Sequence, residues 1–551
     1  MIITLYVLVF WILIPVLLLG ITHRLQDSLN LQRMDSAAAG IVILLISVPL
    51  LSLSVWQYYR HTGNLPVSAF PPGNILRKGL YNYFRHPIYL FYDLTLAGIA
   101  FALGSRVMLF MVMPGFILLT HIYTRFEEKG LIRRFGDAYK LHRVQTGLII
   151  PRFYQLVRFP LRLLFRYLFG LKIKSATLAR LSPPFFIVAE HKNYLDPFFI
   201  AVAVPWPVSW LATYEVFRSP LLGWFMRRFC SIPRKRYRQD SASIRQLTGR
   251  INNGGVIGLF PEGERSWTGE TQDFKPEVMK LLCRMHRIPV VPVRITGNYH
   301  AWPRWAEGFR RYSVTVEFSD PVYPESGCTP DSLEKMIKDA TGQNEIQGLP
   351  RSHVGDIGRG LEKVFYRCSD CLSFNSLKTV GNLLECQKCG LTLKVSPGLS
   401  VSVQHPVPGK AVSIAGYYHS IRVTSGEPLL KDLIFPGENS DSKAVTVNGS
   451  LKDSGACRLF MENGRKFILT LTGNLTLTGH DMVFASSGRE VRLPYEEISS
   501  ITTESNFKLQ IFNHVSRQLF QAEFINGSVL QWQDILTSAI FLRTGRTINT
   551  R

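Results

Sequence analysis

The chain has 551 residues, 46% of them hydrophobic, and its 63 Lys and Arg against 40 Asp and Glu give a formal net charge of +23. That length exceeds one ordinary core and suits three or four modules, and the apolar fraction excludes a disordered chain. The charge calls for an anionic neighbour, either nucleic acid or a lipid surface, and its placement decides between them.

Lys plus Arg minus Asp plus Glu runs 7−3 over residues 1–123, 12−3 over 124–174, 20−13 over 175–330 and 24−21 over 331–551. Met1 to Ile21 and Ser36 to Tyr59 carry no charged side chain, and each is long enough to cross about 30 Å of hydrocarbon as a helix. A secretory signal is the competing reading for the first, but it lacks a basic start and an A-x-A site. A second apolar pair, Pro87 to Ser105 and Val107 to Thr124, turns tightly at Arg106. Asp93 lies inside its first arm, where an ionisable group is costly, so it serves a purpose in the bundle or meets water. Beyond Thr124 the sequence turns basic, and the positive-inside rule keeps that flank, and with four crossings the N-terminus, cytoplasmic. The expectation is an α-helical transmembrane domain of about four spans over 1–151, then a basic amphipathic connector over 152–174. Charge beside a membrane span favours anionic lipid, so no nucleic acid partner is expected.

Between the two apolar pairs lies Arg85-His86-Pro87-Ile88-Tyr89, and after the fourth apolar run comes Glu127-Glu128. These separated elements, over about 75–151, resemble the membrane methyltransferase family that includes isoprenylcysteine carboxyl methyltransferases and phospholipid N-methyltransferases. The resemblance implies an S-adenosylmethionine site. There Glu127 and Glu128 hold the positive centre and amino group, Arg85 and His86 take the carboxylate, and Tyr89 belongs to the same element. Phe91 stands where that family has a glycine, which places a bulky ring near the cofactor pocket. The bland alternative is a membrane fold retained without activity.

From Pro183 the sequence reads as soluble α/β. Phe185 to Ala189, Gly255 to Phe260 and Ile288 to Thr296 are short buried-strand runs with helix-like stretches between them, which predicts a largely parallel sheet over 175–345. His191 follows the first strand and Asp196 lies five residues on. Pro233-Arg234-Lys235-Arg236, Phe260-Pro261-Glu262-Gly263-Glu264-Arg265 and Val291-Pro292-Val293 follow in order. Acyl transfer to an alcohol needs a base, which a neutral imidazole supplies, and a carboxylate on the other ring nitrogen fixes its tautomer. The four ordered blocks resemble the glycerolipid acyltransferases, the 1-acylglycerol-3-phosphate acyltransferase family. The resemblance implies His191 as base, Asp196 as its orienter, Arg236 and Arg265 on the acceptor's phosphate, Glu262 on the glycerol or bracing the arginine, and Gly263 for close backbone approach. It also implies acyl-CoA or acyl carrier protein as donor and a lysophospholipid as acceptor. The run from Arg227 to Arg250 counts 8−1 and would seat the domain on anionic head groups or collect the donor.

Cys368, Cys371, Cys386 and Cys389 form two C-x-x-C knuckles, the pattern of a structural zinc ribbon over 364–393, with two disulfides as the alternative. Cys230, Cys283, Cys328 and Cys457 have no partner spacing and read as small core residues. Alternating runs over 395–545 and a closing helix from Val529 to Leu542 predict a β-rich domain resembling a pleckstrin-homology or GRAM-like barrel. The whole reads as a multi-pass membrane enzyme of phospholipid synthesis or remodelling, in a bacterial inner membrane or an ER-type membrane. The alternatives are a lipid or isoprenylcysteine-type methyltransferase and a non-catalytic scaffold or lipid sensor.

Overall fold

The structure is a computed structural model that describes residues 8–63, 66, 73–148, 152–235, 240–341, 356–427, 430, 457–463, 466–486, 488–524, 527–548 and 550. The chain divides into two compact units. One runs to Phe159 and includes Pro205–Pro207 and Gly249–Gly255; the other holds the remainder.

In the first unit, apolar sequence forms the helices Ile14–Leu29, Ala37–Thr62, Pro87–Ala102 and Met113–Phe135. Ala37–Thr62 and Met108–Phe135 are long and apolar enough to cross a membrane. The third expected span is shorter than anticipated. Its helix starts at Pro87, a residue suited to the first turn, and stops before Gly104, whose φ of 62° ends it. Part of the first expected span lies outside the described residues. Ala37–Thr62 packs on Pro87–Ala102 through glycines: a Cβ on Gly40 would collide with the Ala102 backbone, and one on Gly98 would press on Ile43 and Leu44 at 3.0 Å. Asp93 faces a neighbouring helix, accepting from Thr120 Oγ1 at 3.4 Å.

The expected connector is a helix, Phe153–Phe169. It exposes Phe159, Leu163 and Tyr167 among Arg158, Arg162 and Arg166, as an interfacial helix does.

The second unit opens with a seven-stranded sheet. Its strands are β1 (Lys172–Lys174), β2 (Phe185–Ala189), β3 (Val208–Thr213), β4 (Ile232–Arg234), β5 (Val256–Leu259), β6 (Val290–Thr296) and β7 (Thr315–Phe318), in the order β1-β7-β6-β2-β5-β3-β4. Neighbours are parallel except β6 and β7. Every residue of β2 and β5 is buried, which is why these strands read as unbroken apolar runs. The second sheet is antiparallel, with β8 (Leu377–Val380), β9 (Leu383–Cys386), β10 (Thr392–Val395), β11 (Ser400–His405) and β12 (Val412–Ser413) in sequential order. It carries the cysteine knuckles and continues past the expected boundary at 393.

The third sheet is a four-strand meander, β13 (Cys457–Asn463), β14 (Lys466–Leu477), β15 (Asp481–Ser486) and β16 (Arg489–Pro494), then a three-strand one, β17 (Ile498–Glu504), β18 (Lys508–Asn513) and β19 (Gln518–Glu523). The two join where β13 pairs with β19. The helix Val529–Thr544 follows, capped by Ser528 and ended by Gly545.

The second and third sheets do not keep a core apart from the α/β part. Trp267, Tyr299 and Trp305 share one buried cluster with Phe365, Leu384, Ile501 and Leu536. Cys283 and Cys328 also depart from expectation: they form a disulfide with Cα atoms 5.8 Å apart. The first lies on the helix Pro276–Arg284 and the second just before the helix Pro330–Thr341, and those helices pack together. Proximity of this kind leaves no trace in cysteine spacing.

Candidate active site

Parallel strands deliver their functional groups at their C-terminal ends. β2 ends at Ala189 and the chain turns through His191 into the helix Asp196–Ala203. His191 Nδ1 donates to Asp196 Oδ2 at 3.1 Å. The backbone N–H groups of Lys192 and Asn193 donate to the same oxygen at 2.8 and 2.7 Å. Asn298 Nδ2 donates to Oδ1 at 2.8 Å. The carboxylate is fully buried yet amply satisfied, as a buried charge must be. It fixes the imidazole with Nδ1 protonated, which turns Nε2 into the acceptor.

The ring of His191 stacks on Phe260 with centroids 4.1 Å apart, and Phe260 stacks on Trp210 at 4.7 Å. Gly258 makes room for that stack, since a Cβ there would meet the indole. Burial draws the His191 pKa below its ordinary value, against the opposing pull of Asp196 and with help from the charges of Arg265 and Arg304. The imidazole is therefore neutral at physiological pH, the form a base requires.

Beyond β5, Gly263 takes a φ of 83°, in the left-handed region that favours glycine. Glu262 is fully buried, and its Oε2 accepts from the backbone N–H of His191 at 3.4 Å. Burial and then the charge of Glu190 push its pKa well above the usual carboxylate range. It braces the histidine loop from beneath. Its other oxygen, Oε1, is buried without a hydrogen-bond partner. Arg265 lies with its guanidinium carbon 3.3 Å from the centre of the Tyr194 ring, and its Nη1 is buried with no hydrogen-bond partner. Arg236 lies outside the described residues.

Asn298, Phe260 with Trp210, and Arg304 are the functional neighbours that the sequence did not single out. Arg304 Nη1 donates to Glu264 Oε2 at 3.2 Å and to the Arg265 carbonyl at 3.1 Å, and Nη2 donates to Thr503 Oγ1 at 2.7 Å. Glu264 is therefore engaged inside the fold.

The first unit brings together all five of its expected residues. Arg85 Nη1 lies 2.6 Å from Glu128 Oε1; His86 Nδ1 lies 3.6 Å from Glu127 and its Nε2 3.6 Å from Glu128. Tyr89 packs 5.8 Å from His86. Arg85 Nε, His86 Nε2 and Glu127 Oε2 are buried without hydrogen-bond partners. Phe91 is buried and meets Phe84 edge-on at 5.7 Å. Desolvation lowers the Arg85 pKa.

Cys368, Cys371, Cys386 and Cys389 place their sulfurs within 4.8 Å of one another. The pairs Cys368 with Cys389 and Cys371 with Cys386 stand 3.6 and 3.7 Å apart. Four thiolates at about 2.3 Å from a tetrahedral zinc have edges near 3.8 Å, so the donor set fits that ion.

Residues 171–296 match the family model described as Acyltransferase. The chain carries an acyltransferase domain. Residues 36–138 match the model described as Phospholipid methyltransferase. Over the acyltransferase domain, a 1-acyl-sn-glycerol-3-phosphate acyltransferase of Limnanthes douglasii is 27% identical across 194 residues, which cover 34% of this chain and 66% of that enzyme. The corresponding enzyme of Bacillus subtilis is 23% identical across 168 residues, 30% of this chain and 81% of the relative. The matched stretch thus spans just under two thirds of the first relative. The crystal structure of the 1-acyl-sn-glycerophosphate acyltransferase of Thermotoga maritima aligns with 47% of this chain and 93% of its own, at 20% identity and a TM-score of 0.31.

Proposed function

We propose that this chain is a membrane-bound O-acyltransferase that moves a fatty acyl group from acyl-CoA or acyl carrier protein to the hydroxyl of a lysophospholipid. The observation that carries the reading is the His191 and Asp196 pair at 3.1 Å, set beside an arginine with an unpartnered nitrogen. His191 Nε2 removes the hydroxyl proton as the oxygen attacks the thioester carbonyl. The C–O bond forms, the C–S bond breaks, and the imidazolium returns the proton to the departing sulfur. Asp196 stabilises the imidazolium, and Arg265, with Arg236, binds the acceptor's phosphate. The enzyme is multi-pass, with the acyltransferase domain cytoplasmic. Residues 457–544 act as a pleckstrin-homology-like lipid or protein binder, a reading supported by the four-plus-three strand order and closing helix. Labelled acyl-CoA and a lysolipid panel test the main reading on purified membranes: acyl incorporation disappears in His191→Ala, and incorporation at the wild-type rate in that variant sinks it.

A second activity, methyl transfer to a lipid amine or carboxylate, is supported by the three unpartnered polar atoms among Arg85, His86 and Glu127. S-adenosylmethionine would supply the methyl group, held by Arg85, His86, Tyr89, Glu127 and Glu128. The chain's share is to bind, orient and exclude water. Labelled S-adenosylmethionine should mark membrane lipids with wild type and not with Glu128→Ala.

A further inference from the structure

Arg304 is buried, and five acceptors face the five N–H donors of its guanidinium. Nη1 serves the loop after β5, donating to Glu264 Oε2 at 3.2 Å and to the Arg265 carbonyl at 3.1 Å. The other two nitrogens serve the hairpin of β17 and β18. Nη2 donates to the Thr503 carbonyl and, at 2.7 Å, to Thr503 Oγ1, and Nε donates to the Ser505 carbonyl at 3.4 Å. One guanidinium thus bolts the segment that holds Arg265 to a strand in the final third of the chain.

We propose that β17 positions Arg265 for the acceptor's phosphate through Thr503 and Arg304, so that the tail sets the affinity for the acceptor without touching it. The inference rests on the reading of Arg265 as a phosphate ligand. It adds two positioning residues, both beyond the residues 171–296 that match the acyltransferase model.

Three observations converge on it. First, the bracket grips the Arg265 backbone from both sides, through the Glu264 side chain before it and through its own carbonyl. The next residue, Ser266, donates its backbone N–H to the His191 carbonyl at 2.9 Å. The separation between the base and the phosphate ligand is therefore fixed from two ends, one of them in the tail. Second, the Arg265 side chain keeps a donor in reserve. Its guanidinium rests on the Tyr194 ring at 3.3 Å, and its Nη1 is buried without a hydrogen-bond partner. A long side chain held ready in this way loses less freedom when the ligand arrives, which strengthens binding.

Third, the bracket depends on one hydroxyl. Thr503 is fully buried, and its Oγ1 accepts from the Trp267 indole N–H at 3.3 Å as well as from Arg304. The Trp267 ring lies 4.5 Å from the Arg304 guanidinium carbon. An apolar isostere at 503 would leave two buried donors, one of them on a cation, short of an acceptor.

The test uses the full chain in detergent, with steady-state acylation of lysophosphatidic acid by acyl-CoA and equilibrium binding of glycerol 3-phosphate. Thr503→Val keeps the shape of the side chain and removes both hydroxyl bonds, whereas Thr503→Ser keeps the hydroxyl. Trp267→Phe removes one of those bonds, leaves Arg304 its own, and so reports destabilisation alone. Thr503→Val should raise the KM for lysophosphatidic acid and the Kd for glycerol 3-phosphate about tenfold, with kcat and the acyl-CoA KM within about twofold of wild type. Thr503→Ser should restore both acceptor constants. Trp267→Phe should lower the melting temperature and leave both where they are. Acceptor constants unmoved by Thr503→Val, or moved equally by Trp267→Phe, overturn the proposal, as does a fall in kcat at unchanged KM. Arg265→Ala separates the two levels. If it weakens glycerol 3-phosphate binding and Thr503→Val does not, the phosphate reading stands and the proposal falls. If Arg265→Ala binds like wild type, the phosphate reading itself falls and takes the proposal with it.

Discussion

Asn298 reaches back 102 residues to donate its Nδ2 to Asp196 Oδ1 at 2.8 Å. It sits on a tight turn made by Gly297, whose φ is 78°, just beyond the end of β6. The aspartate is thus held from both sides, by its own loop through Oδ2 and by the adjacent strand end through Oδ1.

Removing that clamp leaves the base in place but loosens its orienter. Asn298→Ala should lower kcat for acyl transfer by about 10- to 100-fold with little change in KM, whereas His191→Ala should lose on the order of 10²- to 10⁴-fold. Asn298→Asp tests the hydrogen bond against charge, since a second carboxylate facing Asp196 repels it. Steady-state rates on one lysolipid decide, and an unchanged kcat in Asn298→Ala removes the residue from the positioning scheme.

The pH profile follows from the depressed pKa of His191. Base catalysis needs the neutral ring, so activity is lost as pH falls through the folded-state pKa, which lies below the ordinary ~6.5. The acid limb of kcat/KM should be centred below that value. Asp196→Asn removes the charge that opposes the shift, and its residual activity should titrate at still lower pH. Stability moves in the same direction: below about pH 6.5 the unfolded chain binds this proton before the folded one does, so the fold loses stability as pH falls through that window.

Metal removal should act on the fold. Structural zinc in small domains contributes an apparent 10–16 kcal/mol, and Cys368 and Cys386 belong to the buried cluster that holds Trp267 and Tyr299. The protein should contain about one zinc per chain by elemental analysis. Chelation or Cys386→Ser should lower the melting temperature of the second unit and reduce acyl transfer with it. Chelator-treated protein that keeps both would make the knuckles dispensable.

Trp305 is fully buried, and its indole N–H donates to the Tyr299 hydroxyl at 3.0 Å. Trp305→Phe should cost about 1–3 kcal/mol, for the lost volume and for the lost bond to the Tyr299 hydroxyl, which keeps its own bond to the Trp267 carbonyl. Trp305→Ala should cost about 3–5 kcal/mol, read from denaturant unfolding of the second unit.

Strands β2, β5 and β6 were legible because a strand buried on both faces writes itself as a short apolar run. His191 and Asp196 were legible because they lie only five residues apart, between the end of β2 and the start of the next helix. Asn298 was not, because its partner is a hundred residues away and a single asparagine carries no pattern. The ring stack of Phe260 and Trp210 under His191 is equally silent, as it depends on β3 lying beside β5. Four spans were inferred from apolar stretches alone, and Pro87 and Gly104 trimmed the third to 16 residues. The sheet that carries the cysteine knuckles extends through β11 and β12; the alternation of Ser400 to Val403 marks a strand, but nothing in it tells which sheet the strand joins. Disulfide pairing of Cys283 with Cys328, 45 residues apart, depends on two helices meeting in space.

The buried cluster that joins Trp267, Tyr299 and Trp305 to residues beyond 356 makes the final third of the chain a co-folding partner of the catalytic part. A protein ending near Thr341 would bare three large aromatic side chains beside its own active-site loop, an adhesive surface prone to aggregation. Minimal catalytic fragments of this chain should therefore be designed with that face repainted in polar residues. In evolution, gain or loss of the tail demands the same repainting, which binds the inheritance of the two halves together.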